Sequence, residues 1–308
     1  MKEKIFVALS TIGQYGTGPL DRLKKSGIDF EINPLGRRLT EPEIVEMGSD
    51  STGIIAGIEP YSKDVLQNLS NLRCISRAGV GTDSIDLGYA KKRGIQIRNT
   101  PEVVIQPVVE LTVALIFGLL RKTAEHTKLM RAREWKRVIG DNLEGKQVGI
   151  IGTGRIGKAV CEVLTTLGAR VSAYDIQPDG SWAKTHSISY VSLESLISDS
   201  AIISLHLSVN GGSEAIIREE EISIMKKGVM IINTSRGGFL DEQAAYDGLQ
   251  SGQIGSLGMD VYENEPYEGN LVEFDNVLMT PHIATFTRES RLEMEVQATQ
   301  NLLEVLGA

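Results

Sequence analysis

The sequence predicts an α/β chain built on two doubly wound parallel sheets. Three observations carry that expectation. Short β-rich runs alternate with helical segments through the first hundred residues, the same alternation restarts at Lys146, and one long stretch of helical composition lies between the two. Strands separated by helices in this rhythm cannot pair as hairpins, so they imply parallel pairing with helices on both faces of each sheet.

In the first half, residues 5–9, 30–32, 53–56, 72–75 and 95–97 are aliphatic or β-branched runs of strand length. Residues 20–26, 41–47, 63–69 and 87–93 between them have helical composition. Thr40, with Pro42 in the first turn and Glu43 three residues on, forms the pattern of an N-cap and capping box. Thr100 as cap and Pro101 as first helical residue then open a helix reaching to about Arg133, long enough to link two domains. In the second half the expected strands are residues 147–151, 170–174, 201–205, 229–232, 256–259 and 277–279. The final run, residues 287–306, carries apolar positions at Leu292, Val296, Leu302 and Leu303 and predicts a helix that crosses back to the N-terminal domain.

The bulk properties bound the function. The 308 residues suffice for two cores, and 41% hydrophobic with 23% charged residues is the balance of a soluble globular protein. A net charge of -8 argues against a nucleic-acid partner. Cys74 and Cys161 lie in apolar runs without metal-ligand spacing, which predicts reduced core residues and no metal site. The first residues enter a strand without the pattern of a signal peptide. The apolar stretch 103–120 contains Glu110 and leads into Arg121 and Lys122, so it reads as a buried helix rather than a membrane span. The expectation is a cytoplasmic protein with no membrane partner.

Two motifs carry chemistry. The strand at 147–151 runs into Gly152-Thr-Gly154-Arg155-Ile156-Gly157 and a helix follows. Gly152 permits a tight turn, Gly154 lets backbone approach a pyrophosphate, and Gly157 allows close helix–strand packing. The next strand ends at Asp175, where a carboxylate meets the adenosine ribose hydroxyls. That acid repels an additional phosphate, and Ile176-Gln177-Pro178 supplies no arginine to accept one, so NAD is expected over NADP. The second motif is a trio in the last quarter of the chain: Arg236, Glu265 and His282. A guanidinium grips a carboxylate in two prongs, an imidazole moves a proton near neutral pH, and a carboxylate orients the imidazole.

Together with these residues, further segments make the chain resemble the D-isomer-specific 2-hydroxyacid dehydrogenases over essentially its whole length. The matching segments are Arg77-Ala-Gly79-Val80-Gly81-Thr-Asp83, Asn99-Thr-Pro101, Val109-Glu110-Leu111, the glycine motif, Asn233-Thr234-Ser-Arg236-Gly-Gly, Asp260-Val-Tyr-Glu-Asn-Glu265-Pro and Pro281-His282-Ile-Ala. The resemblance implies a Rossmann NAD-binding domain, residues 99–284, inserted into a flavodoxin-like substrate domain, residues 1–98 plus 285–308. It further implies a homodimer. By the same resemblance Arg236 grips the substrate carboxylate, His282 is the general acid/base and Glu265 its orienting partner. Arg77 and the backbone of Val80 and Gly81 bind substrate. Gly152, Gly154, Arg155, Ile156, Gly157, Asp175, His206, Thr234 and Asp260 bind the cofactor, Asp260 near the nicotinamide carboxamide.

The pattern is closest to the phosphoglycerate dehydrogenase branch, since Arg77 resembles a phosphate-binding arginine and Arg37, Arg38, Arg133, Lys136 and Arg137 add cations. This makes 3-phosphoglycerate, and so a role in serine biosynthesis, the first expectation for the substrate. A glyoxylate/hydroxypyruvate reductase is the alternative, and an NAD-binding corepressor acting through protein partners is the reading from another class. The acid at Glu265 argues against the formate dehydrogenases, which resemble this frame with an amide there. Departures from the pattern are Ser208 and the following residues 209–213, a loop expected near the adenine, and Phe286 with Thr287 after the histidine.

Overall fold

A computed structural model describes residues 2–208 and 215–308, so residues 209–213 of the unusual loop lie outside the described residues. The chain forms two compact units, Met1–Val104 with Thr285–Ala308, and Ile105–Ala284.

The first unit carries β1 (Lys4–Val7), β2 (Asp29–Ile32), β3 (Gly53–Ala56), β4 (Cys74–Arg77) and β5 (Gln96–Arg98). They pair in parallel in the order β2-β1-β3-β4-β5, the flavodoxin-like winding. Helices α1 (Gly18–Ser26), α2 (Glu41–Gly48), α3 (Lys63–Asn68) and α4 (Leu87–Arg93) connect them. α2 starts where the sequence put it: the Glu43 carboxylate accepts from the Thr40 N–H and hydroxyl, both at 2.9 Å. One face of the sheet is closed by a core containing Phe6, Ile54, Tyr61, Leu66 and Ile75. The C-terminal helix, Arg288–Leu306, packs on α1, β3 and β4 of this same unit through Met294, Ala298, Leu302 and Leu306.

The second unit carries β6 (Gln147–Ile151), β7 (Arg170–Tyr174), β8 (Ser189–Tyr190), β9 (Ile202–Leu205), β10 (Val229–Asn233), β11 (Ile254–Met259) and β12 (Val277–Met279). Its helices are α5 (Ile105–Leu120), α6 (Thr123–Arg131), α7 (Arg155–Thr166), α8 (Gly180–His186), α9 (Leu193–Asp199), α10 (Glu219–Ser223) and α11 (Glu242–Ser251). The strand order is β12-β11-β10-β9-β6-β7-β8, all parallel, which is the Rossmann winding with one further strand. The order reverses between β6 and β9, and at such a reversal ligands bind beyond the carboxyl ends of the strands. Two cores cover the sheet's faces, one under α9 and α11, the other under α5 and α7.

Two local expectations need correction. The helix expected from Thr100 starts at Ile105, because the Thr100 hydroxyl is taken by the Gly79 N–H at 2.8 Å instead of capping a helix. Residues 99–104 accordingly pack with the first unit, with Asn99 Nδ2 donating to the Val80 carbonyl and Asn301 Nδ2 to the Asn99 carbonyl. The same helix does not reach Arg133. Lys122 takes a left-handed φ of 49°, which ends α5 and starts α6 on a new course. Cys74 and Cys161 are free and buried, and burial pushes both thiols up to about 12. Among the described residues no helix is long and apolar enough to cross a membrane.

Candidate active site and cofactor site

The glycine motif lies at the carboxyl end of β6, at the reversal of strand order. Gly152 adopts φ 93°, and a Cβ there would come within 2.5 Å of the His206 carbonyl oxygen. A Cβ on Gly157 would meet the Gly152 carbonyl oxygen at 1.9 Å, so only glycine lets α7 start this close to β6. Gly154, by contrast, faces open space at the head of a helix of 12 residues. The first N–H groups of such a helix have no intrahelical acceptor and sit at the positive end of its dipole. Arg155 and Ile156 form that first turn. Open space at the positive end of a helix fits a dinucleotide pyrophosphate.

Asp175 follows β7 directly. Its Oδ2 accepts from the Thr153 N–H at 2.6 Å and the Thr153 hydroxyl at 3.0 Å, and its Oδ1 accepts from the Gln177 N–H at 2.8 Å. Partial burial alone would raise this carboxyl, but the Gln177 and Thr153 donors outweigh it and hold it below the usual carboxylate range. The acid is thus ionised and fixed, with lone pairs left for ribose hydroxyls. Sequence reasoning missed Thr153, a variable position inside the motif, and Tyr190, whose hydroxyl lies 2.7 Å from Thr153 Oγ1. Tyr190 sits on a two-residue strand, too short for any periodicity to reveal. His206 is buried; Nε2 pairs with Ser204 Oγ at 2.9 Å, and desolvation pushes the imidazole down to about 3. Its carbonyl forms the floor beneath Gly152.

The catalytic candidates come from three consecutive strand ends. β10 delivers Asn233, whose buried Oδ1 accepts from the N–H and hydroxyl of Ser235 and whose Nδ2 donates to the Arg236 carbonyl at 2.9 Å. This tie shapes the turn that presents Arg236, while Nη1 of Arg236 donates to the Ser235 carbonyl at 2.7 Å. The Thr234 hydroxyl lies 2.9 Å from that of Thr112, which anchors the turn to α5. A Cβ on Gly237 would overlap the Tyr262–Glu263 peptide, so the Arg236 turn rests directly on the segment that leads to Glu265. Glu265 Oε2 lies 2.8 Å from His282 Nδ1, and its Oε1 accepts from the Tyr262 N–H at 3.1 Å. Both side chains are half exposed, and His282 Nε2 has no hydrogen-bond partner among the described residues. An imidazole oriented through one nitrogen and open at the other is the arrangement of a general acid/base.

Asp260 is fully buried at the end of β11, and it holds the histidine loop. Oδ1 accepts from the Thr280 hydroxyl at 2.6 Å and the Ile283 N–H at 2.7 Å, and Oδ2 from the Ala284 N–H at 2.9 Å. His282 itself has φ 53°, a left-handed conformation uncommon for a side chain of this size. The Asp260 bonds to the two following residues fix it there. Tyr262 adds a brace, its hydroxyl donating to the Thr280 carbonyl at 3.0 Å.

In the first unit, the Gly79 N–H is committed to Thr100, whereas the Val80 and Gly81 N–H groups have no acceptor among the described residues. The Arg77 guanidinium lies over the same turn, with Nη1 3.2 Å from the Ala78 carbonyl oxygen. Two free donors beneath a cation make an anion-binding element. Thr287 is the N-cap of the C-terminal helix, accepting from the Ser290 N–H at 3.2 Å. Phe286 is exposed, edge-on to Tyr15 with ring centroids 6.4 Å apart.

A Rossmann sheet, a glycine turn that fits a pyrophosphate and an oriented imidazole are the parts that a nicotinamide-dependent dehydrogenase requires. Comparison with known proteins narrows the class. Residues 113–284 match the model of the D-isomer specific 2-hydroxyacid dehydrogenase NAD binding domain. The chain is 34% identical over 261 residues to a hydroxypyruvate reductase of Thermotoga maritima, covering 82% of this chain and 84% of the relative. It is 31% identical over 290 residues to a D-3-phosphoglycerate dehydrogenase of Archaeoglobus fulgidus, covering 93% of this chain but 55% of that protein. Among solved structures, a glyoxylate reductase from Paecilomyes thermophila superposes with a TM-score of 0.90 at 28% identity, covering 99% of this chain and 95% of the other. The chain belongs to the D-isomer specific 2-hydroxyacid dehydrogenase family and is an NAD-dependent enzyme of that family.

Proposed function

We propose that this dehydrogenase reduces a small unphosphorylated 2-keto acid, glyoxylate or hydroxypyruvate, with Arg236, Glu265 and His282 as its catalytic residues. The observation that carries the reaction is the 2.8 Å contact between Glu265 Oε2 and His282 Nδ1, which leaves Nε2 open. Bound NADH supplies the hydride that goes to the keto carbon. His282 gives a proton from Nε2 to the keto oxygen, Glu265 holds the imidazole in the orientation for that transfer, and Arg236 grips the carboxylate and stabilises the charge that develops on the oxygen. The Val80 and Gly81 N–H groups and Arg77 are the substrate-binding candidates of the first unit. Asp175 receives the adenosine ribose.

The choice of acid rests on how the cations are used. Arg37, one of the arginines that favoured a phosphorylated substrate, grips Glu43 in two prongs at 2.9 and 2.6 Å. Lys136 pairs with Glu134 at 2.5 Å. Those cations are spent on their own chain, and the names of the Thermotoga and Paecilomyes relatives point the same way. The A. fulgidus relative keeps 3-phosphohydroxypyruvate as the second reading. A homodimer in the cytoplasm completes the proposal, on the family resemblance.

The test follows NADH absorbance with hydroxypyruvate, glyoxylate, 3-phosphohydroxypyruvate and pyruvate in parallel, with phosphite and NAD as a control. The highest kcat/KM is expected with hydroxypyruvate or glyoxylate. A preference for the phosphorylated acid would replace the proposed substrate, and no turnover beside tight NADH binding would favour an NAD-sensing role.

A further inference from the structure

The adenosine end of the cofactor site contains a cation that the hydride-transfer chemistry does not use. Lys158, on α7, places its ammonium 2.6 Å from Asp179 Oδ2 and 5.2 Å from the centroid of the Trp182 ring. Asp179 is tied to Asp175 through two hydroxyls. The Asp179 N–H donates to the Tyr190 hydroxyl at 3.2 Å, that hydroxyl lies 2.7 Å from Thr153 Oγ1, and Thr153 Oγ1 donates to Asp175 Oδ2 at 3.0 Å. The ribose-binding carboxylate and the partner of the lysine therefore belong to one short hydrogen-bonded chain.

NADP differs from NAD by a phosphate on the ribose beside Asp175, and a phosphate needs charge-assisted donors. Asp175 repels it. Ile176, Gln177 and Pro178 bring no cation, and Lys158 already has a carboxylate. We propose that Asp179 is a second determinant of the preference for NAD: by holding Lys158 in an ion pair, it withholds the ammonium that the 2′-phosphate of NADP would require. Discrimination then rests on two carboxylates, one that repels the phosphate and one that occupies the ammonium of Lys158. The effect of Lys158 on Asp175, which it helps keep ionised, agrees with this closeness. The inference rests on the reading of Asp175 as the ribose acceptor and is independent of which acid is reduced.

Asp179 also caps α8, its Oδ1 accepting from the Trp182 N–H at 3.0 Å and the Ser181 hydroxyl at 2.8 Å. Asparagine caps helices as well as aspartate does, so Asp179→Asn removes the charge and keeps the cap.

The experiment measures NADH and NADPH affinity directly, by nucleotide fluorescence titration, without turnover. The proteins are the wild type, Asp175→Ala, Asp175→Ala/Asp179→Asn, and that pair with Lys158→Ala added; thermal melts confirm that each is folded. Asp175→Ala should narrow the NADH-to-NADPH affinity ratio. Adding Asp179→Asn should tighten NADPH about tenfold further, the worth of one charge-assisted contact. Adding Lys158→Ala should abolish that gain. The proposal is overturned if the double variant binds NADPH no more tightly than Asp175→Ala alone, or if the gain survives loss of Lys158. An unchanged ratio in Asp175→Ala would instead remove the ribose reading, and the proposal with it.

Discussion

At the scale of single residues, the site divides into groups that meet the substrate and groups that hold them. In the proposed mechanism His282 meets it, so His282→Ala should lower kcat by roughly 10²–10⁴, the usual worth of acid/base catalysis, while NADH affinity measured by fluorescence stays near that of the wild type. Asp260 holds. Three donors, from Thr280, Ile283 and Ala284, end on its buried carboxylate. Asp260→Ala should therefore cost about 3 kcal/mol or more in urea unfolding, because two backbone N–H groups and a hydroxyl lose their acceptor, and should lower turnover with it. Arg236, Glu265 and His282 stand out in the sequence as candidates because residue type and neighbouring motif both carry chemistry, and the fold brings Glu265 and His282 to 2.8 Å. The clamp does not stand out in this way. Asp260 reads in the sequence as a cofactor contact, and only the fold reveals that both its oxygens face the histidine loop, more than twenty residues away along the chain.

At the scale of elements, strands of the second unit were legible almost to the residue, since buried parallel strands are near-continuous aliphatic runs. What escaped was governed by contacts rather than pattern: β8 is two residues long, and the start of α5 was displaced because a distant glycine claimed the Thr100 hydroxyl. The junction of β6 and α7 is the least forgiving element. Gly157→Ala would drive a methyl into the Gly152 carbonyl, and the forced separation should weaken NADH binding by about tenfold or more, as a titration would show. The C-terminal helix carries a different liability. Glu295 is buried, and burial raises its carboxyl above the usual range despite donors from Gly13 and Thr11 and the nearby charge of Arg291. Between its unfolded value near 4.5 and that raised value the native state holds the proton more tightly, so this group's contribution to stability falls as pH rises through the window. Urea midpoints at pH 4 and pH 7 should show Glu295→Gln gaining relative to the wild type at the higher pH.

At the scale of the whole molecule, the same linkage sets the acid limit. His206 is pushed from 6.5 to about 3 by burial, so the unfolded chain takes up a proton there that the native state refuses. Stability should start to fall once pH drops below about 6.5, earlier than carboxylates alone would cause. In His206→Asn the onset of acid unfolding, followed by circular dichroism, should move to lower pH. The division of the chain has a consequence in time as well as in space. Ile105–Ala284 is one uninterrupted segment, whereas the first unit needs Thr285–Ala308, whose helix lies on β3 and β4. A ribosome therefore delivers everything the nucleotide-binding unit requires before it delivers the last piece of the unit it began with. The earliest strands must wait, part of their apolar surface uncovered, through the synthesis of 180 intervening residues. That interval is when chaperone attention to a nascent chain of this design is most needed.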